Sequence, residues 1–94
     1  MSTTTYYTVT PRYVARRSSV AAALKVARGA ERAAQASHGP QAGADCYIVR
    51  ETLAGLEFRG MAADRAIIGR NLGCGPGVVA QVRAAITEGR VRTA

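Results

Sequence analysis

The sequence predicts a single α+β domain with the element order β-α-β-β-α-α. Three observations carry this reading. Residues 5–14 are β-branched and aromatic, residues 20–36 form a long alanine-rich stretch of helical period, and two short apolar runs meet at Ala54-Gly55. The expected sheet is small and three-stranded, antiparallel or mixed. Ninety-four residues hold one core and leave no room for a second domain. The expected division is a β-α-β-β module over 1–61, followed by a pair of helices and a basic tail over 62–94.

The first strand is TYYTVTPRYV. Pro11 lacks an N–H and cannot donate to a ladder, so this strand is expected at an edge or on a bulge. Ser18 or Ser19 supplies a side-chain cap for the helix that follows, which runs to about Ala36. Val20, Ala23, Ala27, Ala30 and Ala34 share one side of it with Leu24, while Arg17, Lys25, Arg28 and Arg32 line the other. SHGPQAGAD then stops the helix. CYIVRETL (46–53) and LEFRGM (56–61) form an antiparallel hairpin, with Tyr47, Val49 and Leu53 toward the core and Leu56 and Phe58 opposite. From Ala62 the pattern turns helical, breaks at 73–77 and resumes through about Glu88. The tail GRVRTA reads as a short strand or a basic arm.

Thirteen Lys and Arg against six Asp and Glu give a net charge of +7. That excess favours polyanions through counterion release and makes nucleic acid the first partner to consider. Twelve of the thirteen cations are Arg, a bias that GC-rich coding also produces. Residues 1–44 carry six cations and one acid, and residues 61–94 carry five cations and two acids, so the N-terminal module is the more basic part. With no Trp and 5% aromatic residues, Ala, Val, Ile and Leu must build most of the core. Cys46, Cys74 and the single His38 lack the number and spacing of a zinc site, so no metal is expected. Two reduced thiols fit a cytoplasmic protein. No apolar run reaches the length of a membrane span. The first thirty residues hold Ser, Thr and Arg but no acid, the composition of a transit peptide, and are read here as part of the fold. No acid/base couple stands out, so no enzyme is expected.

NLGCGPGVVAQV (71–82) resembles two families. Gly73-Cys74-Gly75-Pro76-Gly77 resembles the cofactor loop of S-adenosylmethionine-dependent methyltransferases. That loop must follow a buried parallel strand, and DRAIIGRN offers only two adjacent strongly apolar residues. Seventeen residues remain after Gly77, with Glu88 their sole acid, too few for the rest of such a sheet. No cofactor is expected. Across 64–84, DRAIIGRNLGCGPGVVAQVRA resembles the helix-turn-helix DNA-binding superfamily. The resemblance implies Asp64 as helix cap, Ile68 and Leu72 facing inward, Gly73 at positive φ and Cys74 tucked beneath the turn. It places Pro76 in the first turn of the second helix and Val79, Val82 and Ile86 on that helix's buried face.

The resemblance also implies a site. Gly75, Pro76, Gly77, Ala80, Gln81 and Ala84 would face the bases of a major groove, with the Gln81 amide suited to adenine. Arg65, Arg70, Asn71, Arg83, Arg90 and Arg92 would meet phosphates. The Arg17, Lys25, Arg28 and Arg32 stripe would add a secondary basic surface. The expected function is a small non-enzymatic binder of double-stranded DNA, a transcriptional regulator acting as a homodimer. A second expectation is a protein-binding inhibitor or adaptor of the kind mobile elements encode, with the helical pair as docking surface. A third is RNA binding through the basic stripe, with Tyr6, Tyr7 and Tyr13 near Arg12 and Arg16 stacking on unpaired bases.

Overall fold

The computed structural model describes residues 4–63, 65–69 and 73–93. In chain order it contains β1 (Thr5–Val9), β2 (Val14–Arg17), α1 (Val20–His38), β3 (Tyr47–Thr52), β4 (Gly55–Ala62), β5 (Ile67–Ile68), α2 (Gly75–Thr87) and β6 (Val91–Arg92). The strands form one six-stranded sheet in the order β5-β4-β3-β1-β2-β6. Every pairing is antiparallel except that of β6 with β2. This corrects the expected β-α-β-β-α-α chain with a three-stranded sheet and a C-terminal helix-turn-helix. The sheet is twice as wide, and only two helices are present among the described residues.

Two local causes account for the difference. The stretch 5–14 is not one strand but the start of a hairpin. Pro11 and Arg12 occupy its turn, closed by a hydrogen bond from the Thr10 N–H to the Tyr13 carbonyl at 2.9 Å. The Thr10 hydroxyl also accepts from the Tyr13 N–H at 3.0 Å, holding the turn from inside. Further on, Ile67 and Ile68 are extended and pair with Ala62 and Met61 of β4. Ile68 is 51% exposed rather than packed inward. The segment expected as the first helix of the pair is therefore an edge strand, and Asp64, Arg70, Asn71 and Leu72 lie outside the described residues.

The helices cover opposite faces of the sheet. Tyr6 and Tyr7, adjacent in β1, and Ile48 and Val49, adjacent in β3, divide between two separate apolar clusters. Successive strand side chains alternate between faces, so the clusters lie on either side. Ile48 and Tyr6 pack with Ala23, Leu24 and Val20 of α1. Tyr7, Val9, Val14 and Val49 pack with Val78, Val82 and Ala85 of α2. Burying each large aliphatic side chain in these layers contributes about 1.5–3 kcal/mol.

The boundaries of α1 follow the expected chemistry. Ser19 is its N-cap, accepting from the Ala22 N–H at 3.1 Å, and Gly39 ends it at φ 105°. The hairpin of β3 and β4 also forms, but its turn is Leu53-Ala54 followed by Gly55, and Leu53 is fully exposed instead of facing the core. A bulge in β4 at Arg59 shifts the register, so that Ile48 sits opposite Gly60 and Val49 opposite Phe58. Gly60 has φ 134°, and a β-carbon there would overlap the Ile68 carbonyl oxygen of β5.

The second helix begins where the sequence placed it, with Pro76 in the first turn. Its inward face is Val78, Val82 and Ala85, not Val79, Val82 and Ile86. Val79 is half-buried and Ile86 is 38% exposed, because the helix packs on a sheet instead of on a preceding helix. Cys74 is exposed, not tucked under a turn, and Gly73 is absent from the positive-φ glycines, which include Gly69 at φ 78°. Gly75 lies against Phe58 of β4, and from Thr87 the chain passes to β6 beside β2. The α2 connection therefore spans the sheet from one side to the other.

Candidate functional site

The edge formed by β2 and β6 gathers cations from three separated parts of the chain. Arg12 comes from the hairpin turn, Arg16 and Arg17 from β2, and Arg92 from β6. Val91 and Arg92 pair with Val14 and Ala15, which brings the C-terminal Arg to the N-terminal ones. Arg17 is half-buried and donates through Nη1 to the Arg92 carbonyl at 3.4 Å. The Arg92 guanidinium lies over the Tyr13 ring, 4.0 Å from its centroid. Arg16 points to the opposite face, where its Nε donates to the Tyr7 hydroxyl at 3.3 Å. That hydroxyl donates in turn to Glu51 at 2.9 Å, and burial pushes the Tyr7 phenol above its ordinary pKa. Among the described residues, the ion pairs are Arg50 and Arg59 with Glu57 and Arg90 with Glu88. None of Arg12, Arg16, Arg17 or Arg92 takes part in them.

Beside this edge, on the α1 face, is a cleft of about 290 Å³. Pro11, Arg12 and Tyr13 form one wall, and Ala30, Ala34 and His38 of α1 form the other. The small side chains of α1 keep the space open. The Thr10 hydroxyl at its base is committed to the turn, accepting from Tyr13 and donating to the Tyr13 carbonyl at 3.0 Å. The polar side chains left to a ligand are therefore Arg12, Tyr13 and His38.

The structure divides the residues of the sequence-predicted site. Pro76, Gly77, Ala80, Gln81 and Ala84 are exposed on the outer surface of α2, with Arg83 beside them, while Gly75 is buried against Phe58. Arg65 is exposed between β4 and β5, and Arg70 and Asn71 lie outside the described residues. Arg90 is tied to Glu88 at 2.6 Å. Among the described residues, Arg92 alone of the expected phosphate contacts joins the basic edge. The expected stripe also divides. Arg17 belongs to β2, Lys25 and Arg32 are exposed on α1, and Arg28 is half-buried beside Glu31 and Asp45. The α2 surface and the α1 cations face away from each other across the sheet. Arg12 and Arg16 were visible to sequence reasoning only as neighbours of tyrosines. The Thr-Pro-Arg-Tyr turn was the signal that places them on two adjacent strands.

Cys46 is buried and its thiol is pushed up to about 11, chiefly by desolvation, with Asp45 and Glu31 adding repulsion. No three His, Cys, Asp or Glu side chains among the described residues gather as metal ligands. No helix among them is long and apolar enough to cross a membrane. Compared with protein-family models, curated proteins and solved structures, the chain matches none.

Proposed function

We propose that the protein is a non-enzymatic nucleic-acid-binding domain whose contact surface is the β2–β6 edge. The observation that carries this is the convergence of Arg12, Arg17 and Arg92, with Arg16 on the other face of the same edge, outside every ion pair among the described residues. A net charge of +7 supplies the long-range attraction. Strand guanidinium groups bind phosphate without a recognition helix, and affinity is then carried by the nucleic-acid backbone. The major-groove reading through residues 64–84 falls with the helix-turn-helix. Fluorescence anisotropy with labelled duplex and single-stranded oligonucleotides at two salt concentrations tests the proposal. Binding that weakens with salt, and that weakens further in Arg12→Gln and Arg92→Gln, is expected. Absent or salt-independent binding refutes it.

A second reading, a protein-docking surface, rests on the outer side of α2. Pro76, Gly77, Ala80 and Ala84 are exposed and small, and Ala80, Ala84 and Thr87 border a shallow hollow. Such a surface admits close packing by a partner. Recovery of a partner from nuclease-treated lysate, abolished by Ala80→Arg, would favour this reading over the basic edge.

A further inference from the structure

We propose that the cleft between the β1–β2 turn and the C-terminal half of α1 receives one unpaired nucleobase, making the basic edge a binder of single strands in preference to duplex. The inference rests on the nucleic-acid reading above and names its substrate class.

The cleft and the edge are one continuous surface because they share Arg12 and Tyr13. Tyr13 lines the cleft and also carries the Arg92 guanidinium at 4.0 Å from its ring centroid. A base entering beside Tyr13 would leave its phosphate within reach of Arg12, which lines the cleft, and of Arg92, which lies over the Tyr13 ring. A volume of about 290 Å³ lies at the small end of ligand clefts and suits one planar ring system. Paired and stacked bases do not present their faces, so a duplex cannot use such a cleft without extruding a base.

The chemistry of the walls agrees. Pro11, Ala30 and Ala34 offer flat apolar contact to the faces of a ring. Among the lining residues Arg12 and His38 alone carry a basic group, which draws a phosphate toward Arg12 and away from the alanine wall. Arg12 and His38 line the cleft and can meet the polar edge of a base. Of the tyrosines with stacking potential in the sequence, Tyr7 is 1% exposed and Tyr6 packs beneath α1, which leaves Tyr13 to meet a ligand here. Stacking on aromatic and apolar walls is tolerant of base identity.

The test uses the full chain and a strand of about ten nucleotides, within the range of known single-strand sites. The strand carries a central 2-aminopurine and is prepared as DNA, as RNA and as a DNA duplex. Expected are a change in 2-aminopurine emission on binding and tighter binding of a single strand than of the duplex by roughly five- to a hundredfold. The DNA and RNA arms identify which strand is preferred, and either preference supports the cleft. Filling it with Ala30→Leu and Ala34→Leu should abolish the emission change and weaken single-strand binding about tenfold. Tyr13→Ala should do the same and Tyr13→Phe, which keeps the ring, should restore binding. The tyrosine pair carries the test if the doubly filled variant does not fold. Equal affinity for duplex and single strand, with the filled cleft and Tyr13→Ala behaving as wild type, overturns the inference while leaving the basic edge standing. No salt-dependent binding to either form overturns both.

Discussion

The Thr8 hydroxyl donates to the Ala23 carbonyl across 2.8 Å, joining β1 to the middle of α1 where neither residue is exposed to solvent. This bond fixes the height and rotation of α1 over the sheet. The near-isosteric Thr8→Val removes the bond while keeping the packing. Stability should fall by about 1 kcal/mol, measured by urea denaturation. Unchanged stability would show that α1 is held by its apolar face alone.

Gly60 is the tightest point in β4. Gly60→Ala forces a side chain into a positive-φ backbone and against the Ile68 carbonyl oxygen. A loss of about 2–4 kcal/mol is expected, with β5 displaced from the sheet. Gly43→Ala has open space around it and serves as the control, expected within about 0.5 kcal/mol of wild type.

The two thiols should behave oppositely. Cys74 is exposed and should react with a thiol reagent in the native protein, whereas Cys46 should react only on unfolding. Cys46 titrates at about 11 in the fold against an ordinary 9.0, so the folded state holds its proton more tightly. Its contribution is intact below pH 9.0 and is lost as pH rises toward about 11. Cys46→Ala should flatten that part of the stability profile by about 2–3 kcal/mol, read from denaturation midpoints across the interval.

Glu57 accepts from Arg59 Nη1 at 2.7 Å and from Arg50 Nη2 at 3.1 Å. Chiefly the Arg59 hydrogen bond, with Arg50 assisting, holds its carboxyl below the usual 4.5. The sign is that of a paired carboxylate: its contribution is present above the ordinary glutamate range and disappears as pH drops through the depressed folded value. The stability difference between wild type and Glu57→Gln should therefore narrow on acidification. A difference that persists in acid would assign the effect to packing.

Salt sensitivity reads the basic edge residue by residue. Each Arg that meets a phosphate contributes about 0.7–0.9 to the slope of log affinity against log salt. Arg12→Gln and Arg92→Gln should each reduce that slope by about this amount, while Arg90→Gln, already paired with Glu88, should reduce it less.

Much of the N-terminal half was legible in the residues, and the reasons are local. Ser19 caps α1 through its own side chain, and Gly39 stops it by a backbone conformation only glycine adopts easily. The alternation in 46–53 and 56–61 marks a hairpin whichever way it packs. The hairpin at 10–13 was hidden because Tyr, Val and Thr continue on both sides of Pro11 and imitate one strand. The region 62–72 misled for another reason. Ala62, Ala63 and Ala66 favour a helix, while the pairing of Ile67 and Ile68 with β4 is a tertiary choice that no two-residue strand can announce by periodicity. The basic edge was illegible because it depends on residues 14–15 and 91–92 being neighbours. His38 and the alanines of α1 gave no sign of a cleft until the turn was set against them.

The parallel contact of β6 with β2 has the widest sequence separation of the sheet's pairings. The two hairpins, 5–17 and 47–62, close over short loops and can form early. The β2–β6 seam joins partners 77 positions apart, Val14 and Val91, so closing it costs more chain entropy than closing either hairpin. That closure gives one flank of β2 its neighbour and carries Arg92 to Tyr13. The basic edge therefore exists only where both ends of the chain are brought together.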